Sequence, residues 1–404
     1  GETDIQLMGM SGQNVKILLD GVPLLDRGST KQSLSQIDVN NIEKIEIVEG
    51  PVSVIYGTDA LAGVINIITK KQQNYKWQIQ ARLLEETVNN EYNFIHKEGK
   101  HNAHLHIGHK QGNWQMGLSG SRNNFGGWQG DLTGRALAWQ PKEQWLSAAN
   151  VGFNKGKQHT WYRVDYVHED IFTPGDYTAN NKYIDKHYRT NRWTHQLQSD
   201  WKLNANLTVN GALSYQDYKR ETSSTITDLS SKESSLTTGA GEQDMAQFKS
   251  FFFRGTLHYK QTEELAWQAG LEYNGDKGSG ARIEGEPTIQ TYAAFLSAEY
   301  SPIYWLNLRP GLRVLANSVY DAPPFIPSLN SKIKINEYLD FRAAYARGFR
   351  SPALRELFFT FFDSNHSIRG NEKLKAEYSN SFNSYLSYHK HFTENSEISS
   401  SIGG

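Results

Sequence analysis

Cysteine is absent from the 404 residues, which rules out disulfides, cysteine nucleophiles and thiolate metal sites. Long apolar runs are missing too. With 38% hydrophobic residues and a mean hydropathy of -0.63, no stretch of about 18 apolar residues occurs, so the sequence holds no transmembrane helix. A membrane barrel of strands is compatible with such polarity, because its strands alternate apolar and polar residues. No charge of one sign predominates: 42 basic and 43 acidic residues leave a net charge of -1, and no global field recruits nucleic acid. Catalytic signatures are lacking as well. Neither His-Glu-x-x-His nor a phosphate loop ending in Gly-Lys-Ser/Thr is found, and Ser53 belongs to a longer turn-rich run, so no enzyme is expected. Aromatic residues, by contrast, are plentiful. The 21 Tyr, 18 Phe and 10 Trp suit aromatic girdles at two membrane interfaces, the plain alternative being a soluble all-β protein with an aromatic core.

The most specific stretch is Val48–Lys71, VEGPVSVIYGTDALAGVINIITKK. Gly50-Pro51 makes a turn, and Ser53–Tyr56 fit one helical turn that Gly57 closes with positive φ. Ala60, Ala62 and Gly63 allow close backbone approach before the β-branched strand Val64–Thr69. Upstream, Val15–Leu19 reads as a strand entering the turn Asp20-Gly21-Val22-Pro23, and Ile42–Val48 as another strand. This arrangement resembles the plug domain of TonB-dependent outer-membrane receptors, with Asp20, Gly21, Gly50, Pro51, Tyr56, Gly57, Gly63 and Asn66 at its motif positions. The resemblance implies an α+β plug, about 1–74, inside an antiparallel membrane β-barrel beginning near 75 and running to 404. It also implies residence in the outer membrane of a Gram-negative bacterium, contact with outer-membrane lipids, and energy coupling through the TonB-ExbB-ExbD complex.

From about Tyr75 the period is two. Leu207, Val209, Leu213 and Tyr215 share one face while Thr208, Asn210, Ser214 and Gln216 share the other, and similar dyads recur at 265–273, 292–300 and 339–345. Tyr292 and Tyr300 are eight residues apart, roughly 26 Å of strand, close to the ~25 Å apolar band of outer-membrane barrels. Short links near Gly112, Lys155–Lys157, Asn204–Asn206, Thr262–Glu264, Pro302, Asn336-Glu337 and Phe392 alternate with long ones at 122–143, 169–192, 219–247, 275–288, 316–328 and 348–377. The long links are expected outside the cell, with 219–247 mobile and 122–143 packing Trp128 and Trp139 over the mouth. The count gives about fifteen strands against the ~22 of plugged transporters, so a fragment without the TonB box and the last strands is expected.

Candidate ligand residues cluster at 345–377. Phe349-Arg350-Ser351-Pro352 and Asn371-Glu372-Lys373-Leu374 resemble two boxes of haem receptors in this family, and His366 lies between them. The resemblance implies that His366 ligates haem iron, a role suited to a neutral imidazole. Pro23–Asn41 holds no histidine, so His96, His101 or Tyr92 of the first long loop is expected to complete the site. Arg347, Arg350 and Arg355 could grip propionates or siderophore carboxylates, or equally pair with Glu356 and other acids. His104 and His106, two apart on one strand face, could bind a metal or simply add polarity to the lumen. The function expected is active uptake of an iron-containing ligand, haem first, with a ferric siderophore or cobalamin as the alternative and a non-transporting binding barrel behind them. Haem or the ferric chelate is cargo, and no prosthetic group is expected.

Overall fold

The computed structural model describes residues 5–7, 9–25, 32–50, 53–71, 75–362, 367–393 and 396–404. A short antiparallel pair, β1 (Gln6–Leu7) with β2 (Met10–Ser11), precedes a small mixed sheet. That sheet contains β3 (Val15–Leu19), β4 (Val22–Pro23), β5 (Ile42–Glu49) and β6 (Gly63–Thr69) in the order β4-β3-β6-β5. The one-turn helix α1 (Ser53–Tyr56) lies between β5 and β6. β3 pairs parallel with β6, so both central strands are covered on each face and read as continuous apolar runs. Val15, Ile17 and Leu19 pack with Ala62, Ile65 and Ile67 on one face, while Leu18 meets Ala60, Val64 and Tyr56 on the other.

The remainder is one large antiparallel sheet. Its strands are β7 (Trp77–Glu86), β8 (Lys100–Gln111), β9 (Trp114–Phe125), β10 (Lys142–Lys155), β11 (Gln158–Thr173), β12 (Lys182–Lys202) and β13 (Leu207–Asp228). After the short β14 (Ser234–Leu236) come β15 (Gln243–Lys260), β16 (Leu265–Gly280), β17 (Thr288–Ile303), β18 (Leu306–Asn317), β19 (Phe325–Lys334) and β20 (Leu339–Arg350). Helix α2 (Leu354–Phe358) and the hairpin β21 (Thr360–Phe362) and β22 (Ser367–Arg369) follow. The sheet ends with β23 (Glu377–Thr393) and β24 (Ser396–Gly403). Each long strand pairs with its sequence neighbour, with β14 attached to β13, and β7 and β24 terminate the order. No described helix is long and apolar enough to cross a membrane.

Alternation sorts the two faces. On β9, Trp114, Met116 and Leu118 are exposed on the outer surface, while Ser119 and Ser121 are buried on the inner one. Leu213 and Tyr215 of β13 point out, and Ser214 and Gln216 point in. Tyr292 and Tyr300 both lie on the outer face of β17. The sheet curves around the N-terminal unit, which bonds β9 through Asn41 and Ser119 and bonds the end of β20 through Thr58 and Ser351.

Strand lengths depart from the sequence reading. Segments 169–192 and 219–247 are loops only in part, at 174–181 and 229–242: β12 has 21 residues and β13 has 22, against about 9–11 needed to cross the membrane. β14 pairs with the upper part of β13, so much of 219–247 is ordered sheet rather than a mobile loop. In the 126–141 connection Trp128 and Trp139 form an isolated bridge whose two N–H to O=C bonds measure 2.9 and 3.0 Å. Six of the short turns fall within three residues of their expected positions, including the one near Pro302, which lies at Tyr304-Trp305; for the link near Phe392, residues 394–395 lie outside the described residues.

Candidate functional site

The plug motif builds a locked turn. Asp20 has φ 51 and Gly21 φ 82, a left-handed pair that reverses the chain after β3. The Asp20 carboxylate accepts from the Thr69 N–H at 2.9 Å and the Thr69 hydroxyl at 2.7 Å, and Asn66 Oδ1 accepts from the Gly21 N–H at 2.9 Å. Burial nevertheless raises the Asp20 carboxyl above its ordinary range, against the pull of the Thr69 bonds. Tyr56 ends α1, and its carbonyl accepts from Lys16 Nζ at 2.6 Å. Gly50 turns the chain at φ 84. Gly63 has φ 146, and a Cβ there would sit 2.2 Å from the Val48 carbonyl oxygen. Pro51 lies outside the described residues.

Inward-facing glutamines hold this unit against the wall. Gln144 donates to Ser35 O at 3.0 Å, Gln196 to Leu19 O at 3.2 Å and Gln198 to Asp20 O at 2.7 Å. Gln216 donates to Pro23 O at 2.7 Å and accepts from Leu25 N–H at 2.9 Å, completing both backbone bonds a strand would make. His104 belongs to the same seam. Its Nδ1 lies 2.7 Å from Ser121 Oγ and 3.6 Å from the carboxylate of Asp38, which also accepts from Ser121. His104 thus faces inward as expected and takes part in docking, and neither it nor His106 belongs to a group of three or more side chains able to hold a metal ion among the described residues.

On the opposite wall the contact is a buried charge cluster. Arg254 and Arg313 both bond Glu272, with Nε of Arg254 at 2.9 Å and Nη2 of Arg313 at 2.6 Å. A Cβ on Gly57, which has φ 82, would lie 3.0 Å from Arg313 and 3.2 Å from Glu272, so only glycine lets α1 rest there. Lys16 is buried above the cluster, and desolvation pushes its ammonium down to about 8 although Glu272 and Asp59 pull it up.

Two cavities open toward the long-loop end. The floor cavity, about 180 Å³, lies between the plug and the wall and is bordered by Lys16, Asp59, Glu272, Asp276, Arg313 and Tyr320. The mouth cavity above it, about 210 Å³, gathers Lys186, Tyr188, Arg220, Arg282, Arg355 and Phe359; Phe248 borders both. Arg282 is fixed by Asp244 at 3.1 Å and Gly241 O at 2.9 Å, and Arg220 Nη1 bonds Thr190 Oγ1 at 3.2 Å while its buried Nε is unpaired. Guanidinium groups also stack on rings: Arg220 lies 5.3 Å from Tyr188, Arg282 3.9 Å from Phe361 and Arg355 4.2 Å from Phe359. The sequence reading singled out only Arg355 of these cations, because the others are scattered over β12, β13 and the loop after β16. Lys186 and Arg220 share the parity of the inward residues Thr190 and Gln216 on their strands, whereas Arg282, in a loop, carries no such signal.

The residues expected to bind haem do not converge. Arg350 is bidentate between acids, 2.9 Å from Glu356 and 2.9 Å from Glu377, so its predicted ligand role gives way to the alternative of pairing with Glu356. His101 contacts Glu85 on the outer side of the β7–β8 hairpin, where Tyr92 bonds the same carboxylate at 3.2 Å. Phe94 and Tyr92 cover the His101 ring. His96 bonds Asn93 at 2.8 Å in that exposed loop. The structure thus places His101 and Tyr92 together at Glu85 and His96 in the exposed loop above them, and brings none of the three to Arg350. His366 lies outside the described residues.

The fold and seam have counterparts. The family model described as TonB-dependent Receptor Plug Domain matches residues 1–64, and that described as TonB dependent receptor-like, beta-barrel matches residues 113–393. The chain therefore belongs to the TonB-dependent receptors, the plugged β-barrels of the Gram-negative outer membrane. It is 24% identical over 417 residues to the ferric enterobactin receptor PirA of Pseudomonas aeruginosa, covering 87% of this chain and 53% of that protein. The solved siderophore receptor PirA from Acinetobacter baumannii superposes with a TM-score of 0.74 at 17% identity, over 98% of this chain and 63% of that one. The solved copper transporter OprC gives 0.69 at 15% identity, over 97% and 65%, so the fold alone does not choose the cargo. The chain thus spans about half the length of the curated relative and less than two thirds of these solved ones.

Proposed function

We propose that the receptor binds a ferric siderophore at its outer mouth and carries it inward under TonB drive. The carrying observation is the mouth cavity, where Lys186, Arg220, Arg282 and Arg355 stand beside Tyr188 and Phe359. Catecholate and hydroxamate chelates of Fe(III) surround the metal with oxygen donors, and catecholates present flat aromatic rings with net negative charge. Cations that stack on rings match both properties. PirA of Pseudomonas aeruginosa is named for ferric enterobactin, which supports this reading over haem, for which none of these relatives is named. The iron is cargo, coordinated by the chelator. Coupling to the TonB-ExbB-ExbD complex is the partner that membership of this family suggests.

The test is direct titration of purified receptor with a ferric tris-catecholate, a ferric hydroxamate and haem, read by quenching of tryptophan fluorescence. The tris-catecholate should bind tightest, and Arg220→Ala should weaken it about tenfold or more. Binding of haem with a Soret shift and of neither chelate would overturn the proposal.

A further inference from the structure

We propose that cargo crosses the barrel along one sector, β15–β19, by displacing α1, while the plug stays docked on β8–β13. The inference rests on the transport reading above. Its starting point is a third cavity of about 410 Å³ at the short-turn end, bordered by Val54 and Ile55 of α1 and by inward side chains of the wall, among them His258, Gln268, Ser297 and Arg309. It lies directly below the floor cavity on the same strands. Glu272 borders the upper space and Gln268 the lower, and Arg313 and Arg309 repeat that relation on β18. Four residues of strand separate each pair, roughly 13 Å.

Little plug structure fills that interval. Val54 lies against Gly311, whose Cβ position is 3.0 Å from Val54 Cγ1, and Gly57 rests on the Arg313–Glu272 pair. Phe295 crosses Gly270 beneath the cluster and is almost fully buried. The other wall differs in kind. There the plug is bonded through Ser121, Gln144, Glu169, Gln196, Gln198 and Gln216 on β9–β13. Withdrawing the plug from that side breaks a whole row of directional bonds, whereas swinging α1 away from β18 breaks one side-chain bond, from the Phe349 N–H to Ser53 Oγ at 3.4 Å, lifts Val54 out of the apolar cluster it shares with Ile326 and Phe349, and joins two existing cavities. Among the described strands, the least obstructed path for a ferric chelate therefore runs past α1, with the lower cavity as its exit chamber.

The absence of cysteine makes the test clean. In the receptor in outer membranes, Val54→Cys with Gly311→Cys places a thiol pair across the proposed path, and Asn41→Cys with Ser119→Cys, whose native side chains meet at 3.0 Å, places one on the opposite seam. Each pair is bridged with dibromobimane, which fluoresces once both thiols have reacted, and uptake of radiolabelled ferric tris-catecholate is measured before and after. The first bridge should cut uptake at least tenfold with binding unchanged, and the second should leave uptake within about twofold. Parental uptake through the first bridge, or an equal block by the second, overturns the route. Absence of uptake in the parent and in every unbridged variant counts against transport itself and removes the route with it. As an independent readout, Phe295→Cys should react with an impermeant thiol reagent only during energised uptake and Ser121→Cys should remain protected; the reverse pattern contradicts the proposal.

Discussion

Arg313 of β18 reaches across β17 to Glu272 of β16 at 2.6 Å, with the backbone of Gly57 resting on the pair. Arg254 completes the cluster from β15, so one carboxylate serves two guanidinium groups in a buried setting. Removing the carboxylate leaves two uncompensated charges. Glu272→Leu should lower receptor stability by about 3–5 kcal/mol, measured as loss of the heat-resistant form in electrophoresis. A joint Glu272→Leu, Arg254→Met, Arg313→Leu replacement should restore most of that loss.

The plug glycines divide by what a side chain would meet. Gly63→Val drives a methyl into the Val48 carbonyl at φ 146, and Gly57→Val strikes the Arg313–Glu272 pair at φ 82. Each should cost at least about 2 kcal/mol through backbone strain and overpacking. Gly120, on the outer face of β9, has open space at its Cβ position, so Gly120→Val should be tolerated. Equal folded yields of the three variants would contradict this ordering.

Lys16 gives the plug a pH dependence of definite sign. Its folded pKa of about 8 lies below the ordinary 10.5, so below pH 8 the lysine is charged in both folded and unfolded chains and its buried charge is disfavoured. Between pH 8 and 10.5 the folded state loses the proton first, and the contribution of this group to stability rises with pH. Resistance of the plug to protease should therefore increase across that window. Lys16→Met should flatten the rise.

Arg350 ties the beginning of the last long connection to its end, holding Glu356 and Glu377 together, while Glu356 also accepts from the Ala353 N–H at 2.7 Å. Arg350→Ala should speed proteolysis within 351–376 severalfold. The paired Glu377→Gln should do so less, because Glu356 is retained.

His101 and Tyr92 share Glu85 on the outer side of the barrel, remote in sheet order from the cations of the mouth. His101→Ala should leave chelate affinity within about twofold and increase hydrogen exchange in 87–99. A tenfold loss of affinity would place the first loop at the ligand.

What the sequence made legible was whatever a side chain or a glycine enforces locally. The run through Gly57 and Gly63 is readable because close backbone approach tolerates nothing larger, and the dyads around Leu213 and Tyr292 because lipid on one face selects apolar residues. Upper strand segments such as Lys182–Thr190 and Arg220–Asp228 carry polar residues on both faces, so they lack the apolar period and resemble loops. The mouth cations were hidden for a related reason: Lys186, Arg220 and Arg282 come together through register between strands, which no local pattern encodes. The Phe349–Pro352 box was visible, but its arginine is engaged by Glu356 and Glu377, acids 6 and 27 positions away.

The glutamine seam carries a mechanical consequence. Gln144, Gln196, Gln198 and Gln216 grip main-chain groups of the plug, so substitutions in the plug's side chains leave the grip intact, and none of these amides ionises at any cellular pH. Because the bonds are separate rather than fused into one ladder, a pull applied at one end of the plug loads them in succession, like stitches in a hem. The work of freeing the plug from this wall is then the sum over the row, which is also what sets the strength of the resting attachment.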